Sequence, residues 1–175
     1  MKISIDMTME GALVNYTAAN IRKVIQAALF KVGDYWHRNY MKKHFTAAGS
    51  REYGYAPRKG ERARAGSKQF RRRAGPAERR AGRILPLVYS GRLRDACQIR
   101  QIITEITQNE IFARLRLPKA RALNLRPRNA PHIRMREEAT TISEAEKRVL
   151  VNLLSREVSK GLKRMPKRKR RRKIA

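Results

Sequence analysis

Residues 21–36 read IRKVIQAALFKVGDYW, and their apolar side chains recur at spacings of three and four positions. This is the period of an α-helix with one apolar face, because residues three and four apart lie on the same side of a helix. The pattern begins near Thr17 and predicts a long helix that reaches Phe45 or Ala48. We therefore expect the fold to depend on this helix and on the element that buries its apolar stripe.

A second long helix is predicted near the other end of the chain. Ser143 and Glu146 have the spacing of a capping box, in which each side chain accepts a hydrogen bond from the other residue's backbone amide. An apolar stripe then extends from Ala145 to Leu162. Pro166 is expected to end this helix, because proline lacks the backbone amide that a helix interior needs.

Three stretches are predicted to be β-strands, namely residues 1–7, 99–107 and 111–117, with a hairpin turn at 108–110. We expect an α+β fold in which the long N-terminal helix and the C-terminal helix pack on a small antiparallel sheet. Residues 1–162 would then form a single domain. Within it, residues 49–86 are expected to be an extended basic loop that contains a short helix near Gln69–Arg73, and residues 163–175 a basic tail.

The positive charge is concentrated in that loop and tail. The chain has 43 Lys and Arg against 14 Asp and Glu, a net charge of +29. Residues 49–86 contain 12 basic and 3 acidic side chains, and residues 163–175 contain 9 basic and no acidic ones. This excess indicates contact with a polyanion, either directly or within a particle. A run of cations such as 167–173 is also typical of a nuclear localisation signal.

The candidate nucleic-acid contacts lie in these two segments, where Lys and Arg would bind phosphates without reading bases. They are Arg71, Arg72, Arg73, Lys167, Arg168, Lys169, Arg170, Arg171, Arg172 and Lys173. The aromatic stretch 35–40 has two interpretations. We favour a core or a subunit interface, since Trp36 and Tyr40 continue the apolar stripe; the alternative is a stacking platform for single-stranded nucleic acid.

No grouping of side chains indicates catalysis, a cofactor or a metal. His37 and His44 are expected at the surface or in an interface, because Asp34 is the only obvious further ligand nearby. Cys97, the only cysteine, is expected to be a buried small residue. No apolar run has the length of a membrane span. We therefore expect a protein that is not an enzyme, holds no cofactor or metal and does not enter a membrane.

Two stretches resemble a known family. Tyr53-Gly54-Tyr55-Ala56-Pro57-Arg58 and Pro86-Leu87-Val88-Tyr89-Ser90-Gly91-Arg92-Leu93 follow a long helix in this order. This arrangement resembles the head–tail connector and tail-completion proteins of tailed bacteriophages, the minor tail protein Z-like group. A segment of the type Pro-Leu-x-x-Ser-Gly-x-Leu opens a short helix in that group. Here Ser90 would cap this helix, and Leu93 would anchor it against the long helix.

The resemblance implies a non-catalytic subunit of a ring, a hexamer or dodecamer, that joins the DNA-filled capsid to the tail. Such a protein is assembled in the host cytoplasm and lies in the virion neck. Its implied partners are portal or adaptor proteins, tail proteins and, without sequence specificity, packaged DNA. The structural or interface residues would be Trp36, Tyr53, Tyr55, Ser90, Gly91 and Leu93. The alternative function is that of a ribosomal or other RNA-assembly protein, whose basic extensions thread between RNA helices.

Overall fold

The computed structural model describes residues 2–3, 16–85, 87–88, 91–98, 102–106, 111–115 and 135–165. Its helices are α1 (Ala18–Asn39), a 3-10 helix (Met41–Phe45), α2 (Ala47–Glu52), α3 (Lys68–Arg73), α4 (Pro76–Ala81), α5 (Arg92–Cys97), α6 (Met135–Thr140) and α7 (Glu144–Lys163). Both predicted long helices are therefore present, although α1 gives way to the 3-10 helix after Asn39. The predicted capping box is confirmed: Ser143 and Glu146 exchange amide-to-side-chain hydrogen bonds of 3.3 and 3.4 Å.

Three short strands pair through their backbones: β1 (Lys2–Ile3), β2 (Ile102–Ile106) and β3 (Ile111–Leu115). β3 lies in the middle and is antiparallel to both of the others. In the β2–β3 pair, Ile102 lies opposite Leu115 and Ile106 opposite Ile111. The strands of the predicted hairpin are present, and its predicted turn at 108–110 lies outside the described residues.

The predicted fold class, an α+β fold with the long helices packed on an antiparallel sheet, is nevertheless wrong. The structure describes the three strands through their backbones alone. Of the residues whose side chains it also describes, 69% are helical and none lies in a strand. The buried apolar side chains in this part of the chain belong to helices and to the segments that connect them. An apolar stripe on a helix indicates only that the stripe is buried, and another helix can bury it as well as a sheet can.

Such helix-to-helix contact is seen in the first of two compact units. This unit contains α1 up to Asp34, the three strands, and α7 from Arg148 onward. Buried side chains recur every four residues on both helices, at Val24, Ala28 and Val32 and at Leu150, Leu154 and Val158. The two helices approach closely at Gly161, where an added Cβ would lie 2.5 Å from Val24 Cγ1. Lys31 and Glu157 form an ion pair of 2.6 Å between them.

The second compact unit contains the described residues from Tyr35 to Gln98 and from Met135 to Lys147. In this unit the prediction of an extended loop at 49–86 is wrong, because the segment contains the end of α2 and all of α3 and α4. The short helix predicted near 69–73 is confirmed as α3. These helices have 6 residues each, fewer than two turns. An apolar period cannot be recognised over such a length, and helices this short depend on caps and packing.

Candidate nucleic-acid interface

Residues 59–85 form a folded segment with a strongly positive surface, which we name the basic module. Its exposed cations are Lys59, Arg62, Arg64, Lys68, Arg71, Arg72, Arg73, Arg79, Arg80 and Arg83. Among the described residues, none of these cations forms an ion pair with a carboxylate. The module has two acidic side chains, and of these only Glu61 is exposed. Its surface charge is therefore almost entirely uncompensated within the described structure.

A small apolar core supports this surface. The side-chain oxygen of Ser67 caps α3 by accepting a hydrogen bond from the backbone amide of Phe70 at 3.1 Å. Phe70 then packs with Ala74 and Ile84, which are also buried, and Ala63 lies against this cluster. Because so few side chains form the core, most of the remaining positions face solvent. Arginine and lysine occupy many of these positions.

The second acidic side chain of the module, Glu78, is 2% exposed. Its carboxylate accepts hydrogen bonds from the backbone amides of Gly75 at 2.8 Å and Leu85 at 3.0 Å. Burying a carboxylate is costly unless hydrogen bonds replace its hydration, and two amide donors supply such bonds here. Glu78 thus connects the start of α4 to the segment that leaves the module. The same contacts keep its negative charge away from the cationic surface.

The chain enters the module through residues that are fixed on α6. Arg58 and Glu138 form a salt bridge between side chains that are 14% and 10% exposed. Glu138 Oε1 also accepts a hydrogen bond from the backbone amide of Ala56 at 3.2 Å. The backbone carbonyl of Glu138 accepts one from the Tyr55 hydroxyl. These contacts hold the approach to the basic module in a defined position.

Next to Glu138 lies a buried cluster that we name the aromatic hub, formed by Trp36, His44, Tyr53, Tyr55 and Glu146. The rings of His44 and Tyr53 stack with their centroids 4.1 Å apart, and Trp36 meets His44 edge-on at 5.5 Å. Glu146 accepts hydrogen bonds from Trp36 Nε1 at 3.2 Å and from the Tyr53 hydroxyl. The carboxylate that caps α7 is therefore also the acceptor that fixes two of the aromatic rings.

Burial controls the ionisation of the hub. It raises the pKa of the Tyr53 and Tyr55 hydroxyls, so both remain neutral donors. It lowers the pKa of His44 to about 4, so the imidazole is neutral at pH 7. The Tyr55 hydroxyl donates to the Glu138 carbonyl and also contacts His44 Nδ1, which places the ring proton on Nδ1. His44 Nε2 is then a bare acceptor, and it is buried without a hydrogen-bond partner among the described residues.

The structure brings Arg71, Arg72 and Arg73 together on α3, and all are exposed as a polyanion contact requires. The contacts predicted at 167–173 lie outside the described residues.

Ser90, the predicted N-cap of α5, also lies outside the described residues. The described residue that precedes α5 is Gly91, and the capping role predicted for Ser90 stays a prediction. Gly91 has a φ of 78°, in the left-handed region that favours glycine.

The remaining predicted structural residues have mixed outcomes. Trp36, Tyr53 and Tyr55 are buried in the hub, at 0%, 9% and 9% exposure, so none of these rings is available for stacking on bases. Leu93, in contrast, is only half-buried and does not belong to the buried core.

The histidine prediction is also wrong, because His37 and His44 are both buried. His37 Nε2 lies 2.7 Å from the backbone carbonyl of Cys97, at hydrogen-bonding distance. Cys97 is confirmed as a buried residue, and burial raises the pKa of its thiol to about 11. Both histidines and the cysteine are therefore part of the packed interior of the second unit.

Sequence reasoning did not select Arg79, Arg80 and Arg83, because they do not form a consecutive run with Arg71–Arg73. Counting basic and acidic residues over the whole segment 59–83 would have included them. Glu138, which pairs with Arg58, was not selected as a site residue either. No local signal relates two residues that are 80 positions apart in the chain.

A cavity of about 670 Å³ lies elsewhere in the second unit, and both cationic and apolar side chains line it. It is lined by His37, Arg38, Met41, Lys42, Phe45, Arg94, Cys97 and Gln98.

In the part of the chain that the structure describes, no group of three His, Cys, Asp or Glu side chains could hold a metal ion. None of the helices described here is long and apolar enough to cross a membrane.

We compared the chain with protein-family models, with curated proteins and with solved structures, and none of them matches it.

Proposed function

We propose that this chain is a non-catalytic structural protein that binds the backbone of nucleic acids through the basic module. One observation carries the proposal: ten exposed cations and one exposed carboxylate occupy the surface of a segment that has its own apolar core. A cationic segment without a core could be a solvated tail. A folded one holds its charges at fixed separations, which suits a regular array of phosphates.

Binding of this kind releases counterions from the nucleic acid and does not depend on base sequence. Each Lys or Arg that meets a phosphate displaces condensed cations, and this release supplies much of the binding free energy. Reading of bases needs side chains that enter a groove or stack on a base. The aromatic side chain of the module, Phe70, is only 4% exposed and contributes to the core instead.

More particularly, we propose that the protein is a subunit of a ring in the neck of a tailed bacteriophage, between the portal and the tail. The support is the resemblance of Tyr53–Arg58 to the aromatic, glycine and basic loop of neck proteins, together with the use of this stretch as the approach to the basic module. In this setting the module contacts packaged DNA. Portal or adaptor proteins and tail proteins are the neighbours of the ring.

The binding part of the proposal can be tested with two variants of equal charge. R71Q/R72Q/R73Q removes three cations from the basic module and lowers the net charge by three, from +29 to +26. R148Q/K160Q/K163Q makes the same change on exposed positions of α7. We expect the first variant to lose about tenfold or more in affinity for duplex DNA, and the second to lose less. Equal losses would mean that net charge alone, and not the module, determines binding.

The neck assignment needs a separate experiment. Nuclease-treated protein should form closed rings of uniform size in electron micrographs, without added nucleic acid. If the protein instead remains monomeric and assembles only on structured RNA, the RNA-assembly alternative is correct and the neck assignment is wrong. Competition between duplex DNA and structured RNA for the purified protein provides the second measurement.

A further inference from the structure

Two of the exposed arginines in the basic module are held by the backbone, whereas their neighbours are not. Arg71 Nε donates to the carbonyl of Gly66 at 2.9 Å. Arg79 donates twice, from Nε to the carbonyl of Ala74 at 3.0 Å and from Nη2 to the carbonyl of Arg71 at 2.9 Å. Both residues remain exposed. Each guanidinium group is thus oriented by part of its donors, and its remaining N–H groups are left for a ligand.

Arg72 and Arg80, the next residues along the same helices, provide a natural comparison. Both side chains are exposed, and within the described part of the chain neither guanidinium group makes a hydrogen bond or an ion pair. A free arginine loses a large side-chain entropy when a ligand fixes it in one position. A guanidinium group that is already held loses less, so the same phosphate contact contributes more to affinity.

We propose that Arg71 and Arg79 are preformed phosphate contacts, and that the other cations of the basic module meet phosphates through side chains that the ligand must first order. The ligand is the phosphodiester group of a nucleic-acid backbone, whose two non-bridging oxygens match the parallel donors of a guanidinium group. This inference rests on the proposed function, because it assigns roles within the same surface and to the same ligand.

Substitution by lysine tests the inference without changing any charge. Lysine keeps the cation, but it has neither the planar group nor enough fixed donors to bond a carbonyl and chelate a phosphate together. We expect R71K/R79K to bind a duplex of about 20 base pairs about tenfold more weakly than the parent protein. The matched variant R72K/R80K changes two arginines that no backbone carbonyl holds, so it should lose less affinity than R71K/R79K, no more than about threefold. Fluorescence anisotropy of labelled DNA at one salt concentration measures all three.

Because Arg79 also ties α4 to α3, R71K/R79K could lower the affinity by loosening the module. R71K alone removes one hydrogen bond to Gly66 and leaves both bonds of Arg79. We expect it to lose about threefold in affinity with a thermal midpoint equal to that of the parent. Unchanged affinity of R71K, or equal losses in R71K/R79K and R72K/R80K, would overturn the inference. If the parent protein itself does not bind the duplex, the proposed function is wrong. This result differs from the two results that overturn the inference alone.

Discussion

The carboxylate of Glu78 accepts a hydrogen bond from the backbone amide of Leu85 at 3.0 Å, and this contact connects the fold of the basic module to its charge. Glu78 also accepts from the amide of Gly75, so one side chain joins the beginning of α4 to the segment after it. If this carboxylate faced solvent, it would neutralise part of the cationic surface. In its buried position it stabilises the segment that presents the arginines.

Replacing Glu78 with glutamine should destabilise the protein. The amide of glutamine offers one acceptor oxygen, so one of the two backbone N–H groups loses its partner and the side-chain NH₂ group faces another donor. We expect the free energy of unfolding to fall by about 1–3 kcal/mol, the cost of an unsatisfied buried group. Urea unfolding at pH 7, followed by circular dichroism, measures the change.

Glu61→Gln is the matched control, because it removes the same charge from an exposed position of the module. It should change the free energy of unfolding by no more than about 0.5 kcal/mol. If both variants lose the same stability, the buried contacts of Glu78 do not have the role that we assign to them.

His44 should make the protein less stable in acid. Its pKa is about 4 in the folded state, whereas an unfolded histidine titrates near pH 6.5. Between these values the unfolded chain binds more protons, so stability is complete above about pH 6.5, falls as the pH is lowered toward 4 and then levels off. We expect the contribution of His44 to be about 3 kcal/mol, since one pKa unit is worth about 1.4 kcal/mol.

The measurement compares unfolding free energies of the parent and of His44→Phe between pH 4 and pH 7. Other groups titrate in both proteins, so the difference between the two curves isolates His44. Parallel curves would show that the imidazole is not the group that becomes protonated on unfolding.

Gly49 permits a close approach of α2 to the 3-10 helix. A Cβ at this position would lie 1.9 Å from the carbonyl oxygen of Lys43, a backbone atom that has no rotamer to change. Gly49→Ala should therefore displace one helix from the other and cost about 1–3 kcal/mol. Arg51→Ala, an exposed change in the same helix, should leave the thermal midpoint nearly unchanged. A Gly49→Ala protein as stable as the Arg51→Ala protein would contradict this packing.

Duplex DNA should bind more tightly than a single strand of the same length. A duplex presents twice as many phosphates along a stiff axis, whereas single strands gain affinity from stacking on exposed aromatic rings. Phe70 of the module is buried, as are the aromatic rings of the hub. We expect a preference for duplex of about tenfold at equal salt, measured by anisotropy. Equal or tighter binding of oligo-dT would indicate a stacking surface outside the hub and the module.

Features that depend on neighbouring residues could be predicted from the sequence. The spacing in 21–36 is sufficient for α1, and Ser143 with Glu146 is sufficient for the start of α7, because both are local patterns. The element that packs against an apolar stripe, in contrast, can lie far away in the sequence. For this reason the packing of α1 against α7 was not predicted, and a sheet was assigned in its place.

In the candidate site, too, some features had a signal in the sequence and others had none. The run Arg71–Arg73 was visible in the sequence because its charges are consecutive. The contact of the Arg71 side chain with the Gly66 carbonyl was not visible, since it depends on the conformation of the chain before α3. The contacts of Arg79 were not visible either, since they depend on how α3 and α4 meet. The pairing of Arg58 with Glu138 joins distant parts of the chain and had no sequence signal.

The salt dependence of duplex binding tests the central claim most directly. The logarithm of the binding constant should fall linearly with the logarithm of KCl concentration. The slope for R71Q/R72Q/R73Q should be shallower than that of the parent by about 2–3 units, because each lost phosphate contact removes about 0.9. The slope for R148Q/K160Q/K163Q should equal that of the parent. If all three proteins have the same slope, the basic module does not contact phosphates, and the proposed function is wrong.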